Sequence, residues 1–163
     1  MRPPRFGKDD LVVWRLDKSI YKESWANGGG AFQFGGRWNN KGVRAVYCSL
    51  DPSTAILEVA VHTGFETLDT MAYTLTAITI SKQEKIHVVM PQEIPDPDWL
   101  KPGNPSDGQQ AFGDALLRDN RFVIFPSVVS THSWNLVFNA SHAKGHFAVK
   151  HQERFVLDPR LHA

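Results

Sequence analysis

The chain has 163 residues, of which 42% are hydrophobic and 21% are charged, values typical of one water-soluble globular domain. Its 18 basic and 17 acidic side chains leave a formal net charge of +1, and no long basic block predicts binding to nucleic acid or to a membrane surface. The apolar run Leu11–Trp14 is too short for a signal peptide or a spanning helix, and the lone Cys48 cannot form an internal disulfide. We therefore expect a cytoplasmic protein with a single domain over residues 1–163.

Strands are predicted where β-branched and aromatic residues cluster in short runs. Seven runs meet this description: Leu11–Leu16, Val43–Ser49, Met71–Ile80, Lys85–Met90, Arg121–Phe125, Trp134–Phe138 and Arg154–Leu157. Helical periodicity is found from Pro52 to about His62 and from about Gln109 to Arg118. These elements interleave without the regular alternation of a doubly wound sheet or a barrel. The pattern predicts an α+β fold, with a mixed β-sheet core and a few flanking helices.

The first predicted helix has clear signals at both ends. Asp51 is suited to cap its free amides, Pro52 to occupy its first position, and Gly64 to adopt the left-handed conformation that often follows a helix. Between Met90 and Gln110, by contrast, proline and glycine are too frequent for a regular element. We expect an irregular loop there, either a lid or a surface connection without a further role.

A glycine-rich segment precedes the second predicted strand. Gly28-Gly29-Gly30 is followed by Gly35-Gly36-Arg37-Trp38-Asn39, and such a backbone can bend sharply or approach a ligand closely. The Arg37 guanidinium offers a planar fork of donors that matches a phosphate, and Trp38 or Phe34 can flank a flat heterocycle. The alternative is a glycine-rich hairpin on which Arg37 is an ordinary surface charge.

Tyr47 lies in the strand run that follows this segment. Alternation along the strand places it on one face with three other residues, Val43, Ala45 and Ser49. Its phenol can stack on a ring while the hydroxyl meets a polar edge, and the alternative is a half-buried strand aromatic.

Glu58 lies in the middle of the first predicted helix, where its neighbours are apolar: Ala55, Ile56, Leu57, Val59, Ala60 and Val61. Burying an unpaired carboxylate is costly, so this group must be protonated, paired, or turned toward a cleft whose ligand completes it. The structural alternative is an ion pair with one of three arginines, Arg15, Arg37 or Arg44.

Two further groups of polar residues are candidates for a chemical role. Ser127 lacks the Gly-x-Ser-x-Gly context of a hydrolase nucleophile and is interpreted as a binding or positioning hydroxyl. His142 and His146 have the i, i+4 spacing of a metal pair, but Gly145 and the lack of a third ligand argue against a metal site. No metal is expected.

Taken together, these motifs resemble the RES-domain toxin family, the toxins of RES–Xre type toxin–antitoxin systems. The resemblance spans most of the chain in the expected order: Trp14-Arg15, Gly35-Gly36-Arg37-Trp38-Asn39, Tyr47, the helix carrying Glu58, Pro126-Ser127 and Trp134–Asn139. In one departure, the chain has Asn139-Ala140-Ser141-His142 where family members often have Asn-Pro-x-His. For this reason neither Asn139 nor His142 is given a catalytic role.

The resemblance implies a fold related to ADP-ribosyltransferases, NAD⁺ as substrate, and a cognate Xre-type antitoxin whose absence leads to growth arrest. We expect catalysis by Arg37, Tyr47 and Glu58. Arg37 would hold the phosphates, Tyr47 would stack near nicotinamide, and Glu58 would stabilise positive charge at the ribose. Substrate-binding roles are expected for five other residues: Arg15 as a second phosphate ligand, and Trp38, Asn39, Ser127 and Asn135.

The acceptor of the ADP-ribose is left open among water, phosphate and a protein side chain. Two other classes of function also remain. One is a non-catalytic nucleotide-binding or protein-interaction module, in which Glu58 closes an ion pair. The other is a metal-dependent hydrolase that uses His142 and His146.

Overall fold

One seven-stranded sheet forms the centre of the computed structural model, which describes residues 1–163. Its strands are β1 (Leu11–Lys18), β2 (Ala45–Ser49), β3 (Tyr73–Ile80), β4 (Ile86–Val88), β5 (Phe122–Pro126), β6 (Trp134–Asn139) and β7 (Phe147–Phe155). The helices are α1 (Gly29–Phe34), α2 (Pro52–Thr63), α3 (Phe65–Thr70), α4 (Asp107–Asp119) and α5 (Ala140–Ala143), with short 3-10 turns at Ser19–Tyr21, Pro91–Glu93 and Pro159–His162. No helix has the length and apolar character needed to cross a membrane.

The sheet consists of two halves that meet at a narrow seam. The strand order is β4-β5-β6-β2-β1-β3-β7, and every neighbouring pair is antiparallel except β4 and β5. β1 pairs along its whole length with β3, but it meets β2 only where Trp14 lies opposite Ser49. We call this junction between β1 and β2 the seam.

Most of the predicted elements are confirmed, including the α+β class. Asp51 caps α2 by accepting from the Thr54 amide, Pro52 begins the helix, and Gly64 follows it with a φ of 78°. The last strand was predicted wrongly at Arg154–Leu157, because β7 begins at Phe147 and shares only two residues with that run. β7 is an edge strand whose side chains are mostly exposed on both faces, so it lacks the apolar alternation by which strands are recognised.

Three short helices were not predicted. The glycine-rich segment was expected to bend sharply or to form a hairpin, but six of its residues form α1. α3 and α5 have six and four residues, too few to show helical periodicity in the sequence.

The two faces of the sheet carry different apolar clusters. The face bearing Val46 and Cys48 has one continuous core. The opposite face has two clusters, one between the β5-β6-β2 half and α4, which contains Trp38 and Phe125, and one between the β1-β3 half and α2, which contains Leu16. Between these two clusters the sheet presents polar side chains.

Residues 91–106, which we call the strap, connect β4 to α4. As predicted, the strap is irregular beyond its first 3-10 turn. Ile94 is buried in the cluster under α4, Trp99 packs against that cluster, and Asp96 accepts a hydrogen bond from the Ser106 hydroxyl at 2.6 Å. These contacts place the strap beside the glycine-rich segment.

Candidate functional site

A row of polar side chains crosses the sheet between the two apolar clusters. Ser49 on β2 lies opposite Asn135 on β6, and its hydroxyl donates to Asn135 Oδ1 at 2.7 Å. Ser127 directly follows β5, and all three side chains are buried. Polar residues on a face otherwise occupied by core side chains need partners, and this row finds them in each other and in Glu58.

Glu58 extends from α2 to the row and is held by one oxygen. Its Oε1 accepts from Asn135 Nδ2 at 2.6 Å and from the Ser127 hydroxyl at 2.7 Å. Its Oε2 accepts no hydrogen bond from the chain and keeps some solvent-accessible surface. Glu58 forms no ion pair with an arginine: Arg15 pairs with Asp17, and Arg37 and Arg44 donate to backbone carbonyls. The carboxylate is therefore fixed in place with its second oxygen accessible.

Tyr47 holds the glycine-rich segment against the sheet. Its hydroxyl donates to Asn39 Oδ1 at 2.6 Å and accepts from the Trp38 backbone amide at 3.0 Å. Burial raises the pKa of Tyr47, so the phenol stays protonated and available as a donor. Gly36 is required beneath it, because a Cβ at that position would lie 2.6 Å from the hydroxyl oxygen. The hydroxyl end of the Tyr47 side chain therefore makes its hydrogen bonds within the protein.

Trp38 and Asn39 were expected to contact the substrate, but both side chains are buried and contact other parts of the protein. Trp38 is 2% exposed and stacks on Phe125 with ring centroids 4.3 Å apart, so its ring does not flank an open site. Asn39 is fully buried, and its Nδ2 donates to the backbone oxygens of Ala31 and Asn40. Both residues shape the segment that carries Arg37.

The Arg37 side chain extends from this segment to the strap. Its Nη2 donates to the Gly103 carbonyl at 3.0 Å and its Nη1 to the Trp99 carbonyl at 3.4 Å. Burial lowers the pKa of the guanidinium, and the negative charge of Glu58 opposes this shift. A guanidinium has five N–H donors, so the two contacts leave the others for a ligand.

Arg15 has its donors engaged within the protein. It forms an ion pair with Asp17 at 2.8 Å, with a second contact from Nη2 at 2.9 Å, and its Nη1 donates to the Tyr47 carbonyl at 2.7 Å. Burial raises the pKa of Asp17, and the charge of Arg15 opposes that shift. Arg15 therefore bridges the seam where β1 and β2 diverge, and its guanidinium has fewer free donors than that of Arg37.

The two histidines considered for a metal are directed to separate protein groups. His142 Nδ1 lies 3.3 Å from the Leu117 carbonyl, whereas His146 Nδ1 lies 2.9 Å from Glu84 Oε1. No group of three or more His, Cys, Asp or Glu side chains is arranged to hold a metal ion.

Ser49 is the member of the polar row that sequence reasoning did not select. The signal was present, because strand alternation places Ser49 on the same face as Tyr47. A serine at a strand end is common, however, and only its pairing opposite Asn135 distinguishes it.

Comparisons with known proteins agree with the motif-based prediction. The model of the RES domain family matches residues 12–158. The chain is 32% identical over 155 residues to "Toxin Res" of Photorhabdus laumondii, covering 93% of this chain and 97% of that protein. It is 30% identical over 160 residues to the "Prs ADP-ribosylating toxin" of a Sphingobium species, covering 91% and 94%.

A solved structure shares the fold. The M. tuberculosis MbcT–MbcA toxin–antitoxin complex contains a chain that superposes with a TM-score of 0.72 at 21% identity, covering 90% of this chain and 85% of that one. At this level of identity the similarity shows that the two chains share their overall fold. The chain belongs to the RES domain family.

Proposed function

We propose that this protein is the toxin of a cytoplasmic toxin–antitoxin pair and that it cleaves the nicotinamide N-glycosidic bond of NAD⁺. The observation that carries the proposal is the arrangement of Glu58, with Oε1 held by Ser127 and Asn135 and Oε2 accessible. A fixed carboxylate with one open oxygen suits a reaction in which positive charge develops on a bound sugar. The names of the relatives, toxins and an ADP-ribosylating toxin, support the same class of reaction.

The chemistry requires few groups from the protein. When the bond from ribose C1′ to the pyridinium nitrogen breaks, its electron pair goes to nicotinamide, which leaves as a neutral molecule and needs no general acid. The ribose becomes an oxocarbenium-like cation, which Glu58 Oε2 stabilises electrostatically and through the ribose hydroxyls. An acceptor oxygen or nitrogen then forms the new bond to C1′ and loses its proton.

The remaining site residues support this step. Arg37 supplies free guanidinium donors for the substrate phosphates. Tyr47 is half-buried, and the accessible part of its aromatic ring would stack near the nicotinamide ring. Its hydroxyl meanwhile fixes the segment that bears Arg37. Ser127, Asn135 and Ser49 hold Glu58 in position, and Arg15 maintains the seam beside it.

The decisive variant is Glu58→Gln. Glutamine keeps an oxygen that can accept from Ser127 and Asn135, but it removes the negative charge. We expect the NAD⁺ consumption of the purified protein to fall by at least about a hundredfold, with the fold retained. Glu23→Gln, an exposed position, is the matched control and should retain full activity. Unchanged NAD⁺ consumption in Glu58→Gln would exclude this mechanism.

The acceptor and the partners are addressed by two further experiments. Mass spectrometry of the products formed from NAD⁺, with and without phosphate and with cell lysate, separates hydrolysis, phosphorolysis and transfer to a protein. Induced expression should arrest bacterial growth and lower cellular NAD⁺, and co-expression of a cognate Xre-type antitoxin should prevent both effects. Growth arrest by Glu58→Gln equal to that of the unaltered protein would contradict the proposal.

A further inference from the structure

A polar cavity of about 340 Å³ lies between Arg37, the strap and the start of α4. Apart from Pro102 and Pro105, the residues that line it are polar or charged, and none is aromatic. Its volume falls within the range of small-molecule sites, but its walls offer no aromatic ring on which a base could stack. The cavity therefore suits the charged or hydroxylated part of a ligand.

Gln109 lines this cavity and has a polar group without a partner. The residue is 1% exposed, and its Nε2 makes no hydrogen bond within the chain. A buried amide in this state is costly, and leucine would fill the same volume without that cost. The neighbouring Gln110, by contrast, donates from its Nε2 to the Gly36 carbonyl at 2.8 Å. The unpaired amide of Gln109 thus calls for a partner from outside the chain.

The acidic groups of the cavity are already satisfied. Asp96 accepts from the Asp98 amide and from the Ser106 hydroxyl, and Asp98 pairs with Lys101 at 2.9 Å. The lining also offers donors that the protein does not use fully, namely the free N–H groups of Arg37 and the Gln109 amide. Such donors match the anionic oxygens of a phosphate.

We propose that this cavity receives the diphosphate of the dinucleotide, with Gln109 and Arg37 as its donors and the strap as its outer wall. The proposal rests on the function proposed above and adds Gln109 to the binding residues. The strap carbonyls of Trp99 and Gly103 direct the Arg37 side chain along the cavity, so the strap positions the guanidinium for the ligand.

The test compares Gln109→Leu with the unaltered protein, using ADP and adenosine as probes in calorimetric titrations. We expect the melting temperature of the free variant to be unchanged or higher, since no protein contact of Nε2 is lost. The Kd for ADP should rise by at least about tenfold. Gln92→Leu, an exposed glutamine on the same strap, is the matched control and should leave both quantities unchanged.

Three results would overturn the proposal: an ADP affinity in Gln109→Leu equal to that of the unaltered protein, equal affinities of the unaltered protein for ADP and adenosine, or a clear loss of stability in Gln109→Leu. NAD⁺ consumption by the unaltered protein is measured in parallel. If NAD⁺ is consumed while Gln109→Leu binds ADP normally, the cavity assignment alone is wrong. If ADP binding depends on Gln109 while NAD⁺ is not consumed, the proposed reaction alone is wrong.

Discussion

Glu58 Oε1 and Asn135 Nδ2 lie 2.6 Å apart, although they are separated by 77 residues and belong to opposite halves of the sheet. α2 packs on the β1-β3 half, whereas β6 belongs to the other half. This hydrogen bond and the one from Ser127 hold the Glu58 carboxylate at a defined position beside the polar row.

The first prediction concerns the effect of a second negative charge beside Glu58. Asn135→Asp places a second carboxylate against Glu58, and two like charges in this buried position raise the pKa of the pair above the values in the unfolded chain. The penalty is therefore absent at low pH and grows as the pH rises through the unfolded-state pKa. We expect the variant to lose about 2–4 kcal/mol of stability at pH 8 and much less at pH 4, measured by urea unfolding. Asn27→Asp is the control: the side chain is exposed and accepts from the Gly29 amide, so a carboxylate there should lose no stability as the pH rises.

A second prediction concerns the hydroxyl of Tyr47. Tyr47→Phe leaves the Trp38 amide without its acceptor, so unfolding should become easier by about 1–3 kcal/mol. Because the same hydroxyl fixes the segment carrying Arg37, we expect the KM for NAD⁺ to rise. Tyr21→Phe, at an exposed tyrosine, is the control. A Tyr47→Phe protein with the stability and KM of the unaltered chain would contradict this role.

A third prediction compares two glycines of α4. A Cβ at Gly113 would lie 2.0 Å from the Trp38 carbonyl oxygen, whereas at Gly108 the nearest atom is the Ser106 hydroxyl at 3.9 Å. Gly113→Ala must push α4 away from Trp38 and should cost about 1–3 kcal/mol or more. Gly108→Ala should be neutral or stabilise the helix by up to about 1 kcal/mol. Thermal unfolding of the two variants checks the contrast, and equal effects would refute it.

A fourth prediction concerns the single thiol. Cys48 is buried, and burial raises its pKa to about 12, so the folded protein contains almost no thiolate at pH 8. Alkylation by iodoacetamide should be slower by orders of magnitude in the folded protein than in concentrated urea, because the buried thiol is both protonated and shielded from the reagent. Rapid labelling of the folded chain would show that Cys48 is accessible.

Site residues could be predicted from the sequence where the residue type is unusual for its sequence neighbours. Glu58 was identifiable because a carboxylate in an apolar helix needs an explanation, and Arg37 because it sits in an unusual run of glycines. Ser49 and Gln109 could not be found in this way, because a serine at a strand end and a glutamine in an amphipathic helix are ordinary. Their importance depends on partners that only the tertiary structure reveals, namely Asn135 in one case and an unfilled hydrogen bond in the other.

The same reasoning explains why Trp38 and Asn39 were given ligand roles. A motif shows that residues matter but not toward which side they point. Here the conspicuous tryptophan and asparagine face the core and support the backbone, while the arginine between them and the glycines faces the strap. The prediction of the edge strand β7 failed for the opposite reason, because too little of the strand is buried to leave a hydrophobic pattern in the sequence.

The seam between β1 and β2 gives Glu58 a second role. The two half-sheets share one continuous core on the face bearing Val46 and Cys48, but on the opposite face each has its own apolar cluster, and β1 and β2 pair only at Trp14 and Ser49. Glu58 belongs to the helix that packs on one half, and Ser127 and Asn135 belong to the other half, so their hydrogen bonds join the two halves on the face where the core is interrupted. The carboxylate proposed to stabilise the sugar cation is therefore also a structural contact between the two clusters.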